Sequence, residues 1–166
     1  MGKNPRQKTL RQFSSGGAVY KKEQDKILWL VTQSAPSDVF PNPIWRFPKG
    51  WIDNASHEIP GPMASGRVKA DEESLQKAAL REVSEEGGVA AKIINKIGTS
   101  VYFLNLPEGK VMKFVTFYLM QWQADLPEGY DEETSEVKWL EFNEARKLLS
   151  FSHEKQILDK AFQLLV

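Results

Sequence analysis

The stretch from Val111 to Trp122 limits the fold more than any other part of the chain. Read as a strand, it places Met112, Phe114, Thr116, Tyr118, Met120 and Trp122 on one face. Val115, Phe117 and Leu119 fall on the other. A strand that is apolar on both faces needs both of them covered, so it belongs in the middle of a sheet with a layer above and a layer below. Two helical patterns can supply those layers. Between Asp71 and Glu86, Leu75, Ala79 and Val83 recur at four-residue spacing with Ala78 beside them, which makes one apolar stripe. After Ser152, a plausible N-cap, Ile157, Leu158, Ala161, Phe162 and Leu165 make another.

The remaining elements read in order. Phe13–Lys22 and Ile27–Thr32 are predicted strands joined by the polar turn Glu23-Gln24-Asp25, a hairpin pattern. Ser34–Pro43, with its prolines, is a loop, and Ile44–Phe47 is a short strand ending at Pro48-Lys49-Gly50. Asp53–Lys69 holds Pro60, Gly61, Pro62 and Gly66 and reads as a long surface loop. The Asp71–Glu86 helix begins with Asp71, Glu72 and Glu73, which suit a helix start, and stops at Gly87-Gly88. Ile93–Leu106 precedes the Val111–Trp122 strand across the turn Pro107-Glu108-Gly109-Lys110. Glu136–Phe142 is a last strand, and Glu144–Leu149 a short helix capped by Asn143. The expected fold class is α/β of the α+β kind, a mixed sheet between helices. The expected organisation is a disordered tail at 1–12 and one domain at 13–166.

Charge and cysteine usage remove several classes. Lys plus Arg number 22 and Asp plus Glu number 22, so net charge gives no case for nucleic acid or membrane as the main partner. The absence of cysteine excludes disulfides, thiolate metal sites and a cysteine nucleophile. No apolar run reaches the roughly 18 residues of a membrane span and the polar start is no secretory signal, so a cytoplasmic location is expected.

Arg81-Glu82-Val83-Ser84-Glu85-Glu86-Gly87-Gly88-Val89 carries the chemistry. On a helix Glu82, Glu85 and Glu86 stand at i, i+3 and i+4 and project from one side. Three carboxylates so close repel one another. A solvated acidic helix end tolerates that repulsion, and a bound divalent cation relieves it. Mg²⁺ favours such hard oxygen ligands.

With Glu73 the segment completes E-x7-R-E-V-x-E-E-x-G-V. This resembles the signature of the Nudix hydrolases, G-x5-E-x7-R-E-U-x-E-E-x-G-U with U aliphatic, and matches every fixed position from Glu73 to Val89. The glycine of the template departs from the pattern: its place falls on Arg67. Gly50, in Phe47-Pro48-Lys49-Gly50-Trp51, is the better candidate. Residues 51–72, 22 in all, then separate Gly50 from Glu73 where the family has five, an insertion of 17 within Asn54–Asp71. Ser15-Gly16-Gly17-Ala18-Val19, Arg46-Phe47-Pro48-Lys49-Gly50 and Glu136-Val137-Lys138-Trp139-Leu140 look like the branch of diadenosine tetraphosphate hydrolases and diphosphoinositol polyphosphate phosphohydrolases.

The resemblance implies a Nudix fold and metal-dependent hydrolysis of a phosphoanhydride bond in a nucleoside-diphosphate-linked substrate such as a dinucleoside polyphosphate. It implies Mg²⁺ or Mn²⁺ held by the Gly50 carbonyl, Glu82, Glu85 and Glu86, with Glu82 as ligand or general base. Arg81 and Glu73 form an ion pair that orients the helix carboxylates. A further acid comes from Glu133, with Glu136 as runner-up. Arg46, Lys49 and Tyr118 are candidate substrate contacts. Tyr20, Tyr102 and Phe114 are either stacking partners for a base or core aromatics, and His153 is a cap or surface residue or else a phosphate contact. Two other functions fit the same signature: pyrophosphohydrolysis at an RNA 5′ end, and nucleotide sensing without turnover. Sequence leaves the substrate and the oligomeric state open.

Overall fold

The computed structural model describes residues 10–166. The chain runs β1 (Leu10–Glu23), β2 (Lys26–Ser34), β3 (Trp45–Arg46), β4 (Lys49–Trp51), β5 (Asn54–Ser56), β6 (Ile59–Pro60), α1 (Glu72–Gly87), β7 (Val89–Leu106), β8 (Gly109–Asp125), β9 (Thr134–Leu140), α2 (Phe142–Leu148) and α3 (Ser152–Leu165). Leu10, Arg11 and Gln12, expected within the disordered tail at 1–12, instead pair in register with Val111, Met112 and Lys113 of β8. Positions 1–9 lie outside the described residues.

The sheet is mixed, and β8 sits inside it between β1, which it meets in parallel, and antiparallel β7. Both faces of β8 are covered, as its sequence requires. Val115, Phe117 and Leu119 pack with Ile157, Leu158 and Ala161 of α3. Tyr118 and Met120 pack with Ala79 and Val83 of α1. The chain is thus a mixed sheet between helices.

The register reveals a split in the sheet. The far half of β1 pairs with β2, from Tyr20↔Trp29 to Glu23↔Lys26. Its near half pairs instead with β4, at Ser14↔Trp51, Ser15↔Gly50 and Gly16↔Lys49. The second half of β2 turns to β3 at Thr32↔Arg46 and Gln33↔Trp45. The segment Trp45–Trp51 therefore wedges between two strands that diverge, and a Gly17 N–H donates to Pro48 O at 3.1 Å to seal it.

Helix α1 starts at a side-chain cap, with Asp71 accepting from Ser74 N at 2.8 Å. It ends on Gly88, whose φ of 69° lies in the left-handed region that suits glycine. The other two expected caps are not used: Asn143 lies inside α2 and Ser152 is the first residue of α3. Glu141 and Phe151 occupy the cap positions without a side-chain hydrogen bond. Burial of the apolar faces, rather than capping, holds these two helices in place.

The inserted stretch is more ordered than a long loop. Residues 54–60 form the small β5–β6 hairpin, and the chain then folds back as a turn on the α1 side. Asp53 organises that turn: its carboxylate accepts from Met63 N at 3.1 Å and Ala64 N at 2.8 Å. Buried Ala64 in turn accepts the Phe13 N–H at 2.8 Å. Asp53→Ala leaves two backbone donors without partners, so it is expected to lower unfolding free energy by about 1–3 kcal/mol, measured by urea denaturation. An unchanged midpoint would show that the turn does not depend on Asp53.

Candidate active site

Two helices from opposite layers hold the wedge segment. From α3, Glu154 is completely buried; its Oε1 accepts the Phe47 N–H at 2.6 Å and its Oε2 pairs with Lys49 Nζ at 3.1 Å. From α1, Glu86 accepts the Lys49 N–H at 2.9 Å and pairs with Arg46 at 3.3 Å. Glu82, one turn earlier, lies directly against Gly50. A Cβ at position 50 would overlap its carboxylate, so only glycine lets strand and carboxylate approach so closely.

Arg81 orients this arrangement, although not with the expected partner. It pairs with Glu82 at 3.2 Å and donates to the carbonyls of Trp51 at 2.6 Å and Ile52 at 3.4 Å. Glu73 is exposed and pairs with Lys77 at 2.9 Å. Eight residues of helix separate Glu73 from Arg81 by about 12 Å, whereas Lys77 is its i+4 neighbour.

Burial dominates the electrostatics. It pushes the Glu82 carboxyl up to about 7, against the opposing pull of Arg81. It pushes Glu86 up to about 8, against Arg46 and with the help of Glu82. Glu133 raises both. Burial works against the Lys49 charge, but Glu154 and Tyr102 outweigh it and hold the ammonium above its usual range. Lys113 is brought down to about 8 by burial, then by the cations of Lys49 and Arg46. Burial, then Lys49, lower the pKa of the His153 imidazole against the opposing pull of Glu154. That ring stacks between Tyr102, at 4.2 Å, and Phe151, at 5.3 Å.

A cleft of about 630 Å³ opens beside these groups. Gly50, Glu82, Glu86, Glu133, Arg46 and Lys49 all line it, so the structure gathers most of the residues singled out in the sequence. Glu85 does not line it; its side chain is exposed, and its carbonyl accepts the Asp131 N–H at 2.7 Å. Of the two acids before the last strand, Glu133 lines the cleft, while exposed Glu136 pairs with Gln33 in the ladder. Tyr118 corrects an expectation. It is 1% exposed on the α1 side of the sheet, and its hydroxyl donates to Glu72 at 2.6 Å. Alternation along β8 sends Tyr118 to the face opposite the one that carries Lys113. Tyr20 is core, Phe114 stacks on Phe13, and Tyr102 alone of the aromatic candidates lines the cleft.

Sequence reasoning missed Glu154 and Lys113. Glu154 stands in the first turn of an amphipathic helix, where an acid is ordinary, so nothing local marks it. Lys113 left a signal: it is a cation at an inward position of a strand whose other odd positions, Val115, Phe117 and Leu119, are core.

A NUDIX domain family model matches residues 11–160. A Mycobacterium tuberculosis protein named MutT4 is 25% identical over 122 residues, 74% of this chain and 42% of that protein. The chain thus spans less than half the length of this curated relative. Among solved structures, the Ap4A hydrolase of C. elegans superposes with a TM-score of 0.61 at 22% identity, covering 95% of this chain and 99% of that one. The NUDIX domain of Shewanella oneidensis NrtR, complexed with ADP ribose, gives 0.64 at 18% identity, covering 99% and 94%. Identities this low establish the fold.

The raised carboxyls make stability depend on pH. Between the unfolded value of 4.5 and the folded values of about 7 and 8, the folded chain holds more protons than the unfolded one. Stability from these groups is therefore complete below the unfolded value and lost as pH rises through the folded ones. With chelator present, the melting temperature is expected to fall by several degrees between pH 5.5 and 8.5. The Glu82→Gln/Glu86→Gln double variant should show a shallower fall. Parallel curves for the two proteins would contradict the burial assigned to these carboxyls.

Proposed function

The chain belongs to the Nudix domain family, and we propose that it is a divalent-metal-dependent pyrophosphohydrolase acting on a nucleoside-diphosphate-linked substrate, a dinucleoside polyphosphate or a related nucleotide. One observation carries this reading: buried Glu82 lies against Gly50 and buried Glu86 accepts the Lys49 N–H, in the wall of a cleft that also holds Arg46, Lys49 and Lys113. Anionic phosphates suit the cations, and a cation suits the carboxylates. The structural neighbours known with Ap4A hydrolase activity or with bound ADP ribose share this fold and support a nucleotide substrate.

The chemistry of the donors fits Mg²⁺ or Mn²⁺. Glu82, Glu86, Glu133 and the Gly50 carbonyl offer oxygen alone, which gives no preference for Zn²⁺, and Glu85 stands at the outer side of the same helix. Among the described residues no three acids or histidines already converge as a ligand cluster; Glu82 and Glu86 are engaged by Arg81 and Arg46 instead. A bound divalent ion would supply charge neutralisation on the phosphates and polarise their oxygens. The chain's own groups do the rest. Lys49 and Lys113 offer point charges to phosphate, and Arg46 a planar fork that also steers Glu86. Glu82 serves as a ligand of that ion or as the general base; in the second role its carboxylate takes the proton of an attacking water. Arg81 fixes the Glu82 carboxylate by tying it to the Trp51 carbonyl.

Turnover is expected with Mg²⁺ or Mn²⁺ and is expected to disappear in chelator, in a screen of dinucleoside polyphosphates, nucleotide sugars, nucleoside triphosphates, inositol pyrophosphates and 5′-triphosphate RNA. Glu82→Gln and Glu86→Gln should each reduce kcat by about 10²-fold or more with the fold retained. Equal turnover in chelator, or near-normal kcat in both variants, would refute the assignment. Nucleotide binding without turnover on any substrate would point to a sensor.

A further inference from the structure

The sheet ends on an open strand. β7 pairs with β8 on one side, and among the described residues no strand lies on its other side. Its two halves differ. Residues 89–97 shift register against β8 at Ala90/Ala91, Ile93/Asn95 and Lys96/Gly98, and they carry Lys92 and Lys96. Bulges and lysines of this kind keep an edge from pairing with another chain. Residues 98–106 keep one register with β8 throughout and hold neither a charge nor a proline. Among the described residues, nothing outside β8 hydrogen-bonds to the backbone of that run.

Val101 and Phe103 of the run stand opposite Phe114 and Met112 of β8, on the α1 face of the sheet. They are 46% and 51% exposed. An uncharged edge with apolar side chains beside free N–H and C=O groups is a template for another strand. A second copy of the chain supplies that strand in matching form. Antiparallel pairing of the run with itself, about a two-fold axis at Tyr102, gives every residue from 98 to 106 a partner, with Gly98 opposite Leu106. Val101 then meets Phe103 of the second copy on both sides of the axis, and the exposed apolar pair is covered. Each hydrogen-bonded pair of such a ladder exchanges two bonds, so the run forms about eight to ten, as many as a specific interface carries. The ends match in charge. Lys96 lies two residues before the run and exposed Glu108 two residues after it, so antiparallel pairing brings each toward the other. Lys96 is half-exposed and held by Glu72 at 3.0 Å, with donors left for a second carboxylate.

We propose that the chain forms a two-fold homodimer through residues 98–106 of β7, which join two sheets into one. The register follows from the two ends of the run. The bulge at Ile97 stops the ladder on one side, and Pro107, which has no N–H, stops it on the other. Moving the axis one residue either way from Tyr102 leaves two positions of the run unpaired. The axis stands normal to the joined sheet, so the two clefts open on the same side. Tyr102, whose hydroxyl accepts from Lys49 Nζ at 3.1 Å, lies beside Tyr102 of the second copy.

Sedimentation velocity of the full chain, over a concentration series from low micromolar upward, should show a monomer–dimer equilibrium. Val101→Lys/Phe103→Lys gathers ammonium groups around the axis and should weaken association about 10²-fold or more, with the far-UV circular dichroism unchanged because both positions are exposed. A wild-type chain that stays monomeric throughout, or a dimer that withstands both lysines, overturns the proposal. Cross-linking reads the register independently, since the chain has no cysteine of its own. In Val101→Cys/Phe103→Cys each thiol faces its complement across the axis, and mild oxidation should yield a covalent dimer. Two thiols at i and i+2 of one strand, about 7 Å apart, are too distant to bridge within a chain. Val101→Cys alone leaves the two thiols on a diagonal of about 7–8 Å and should not cross-link. Equal cross-linking of the single and double variants, or none in either, overturns the pairing about Tyr102.

Discussion

The site depends on the hold that buried carboxylates keep on the backbone of Phe47–Gly50. Glu154 reaches it from the α3 layer and Glu86 from the α1 layer, each accepting one backbone N–H. Buried acids of this kind are costly unless hydrogen-bonded and paired. Here the same acids meet both needs: the segment's N–H groups are satisfied, and Lys49 and Arg46 supply opposite charge. Losing one partner would leave an uncompensated group inside the sheet and loosen the segment most at the amide which that partner accepts.

The split between β1 and β2 makes room for this hold, and the apolar layers on either face hold the helices at the needed distance. Val83 and Ala79 fix α1 against the sheet, and Ile157 and Leu158 fix α3. Because the sheet opens at the wedge, carboxylates from the α1 side border a cleft whose floor is the face that α3 packs against. Gly50 is the geometric condition, since any side chain there would push Glu82 away.

Much of this was legible in the sequence because it is local or periodic. The two-faced strand at Val111–Trp122 called for layers on both sides, and the four-residue spacing of Leu75, Ala79 and Val83 oriented α1 so that Glu82 and Glu86 shared a side. What depended on tertiary contact was not legible. Arg81 had a plausible partner in Glu73 by family pattern, but only the fold shows that its guanidinium reaches the Trp51 carbonyl and Glu82. Tyr118 carried the chemistry of a base-stacking residue, and only its register placed it on the other face. Glu154 resembled any first-turn acid until α3 was docked against Phe47. The inserted stretch showed proline and glycine but not Asp53's role, because its anchoring hydrogen bonds join residues ten and eleven positions apart.

The central claim, that acids from both layers grip the wedge, is tested most directly by amide hydrogen exchange at Phe47 and Lys49, followed by NMR. Both N–H groups should exchange slowly in the wild-type chain. Glu154→Ala should speed exchange at Phe47 more than at Lys49, and Glu86→Ala should do the opposite. Fast exchange at both amides in the wild type, or equal acceleration at both in either variant, would contradict the account.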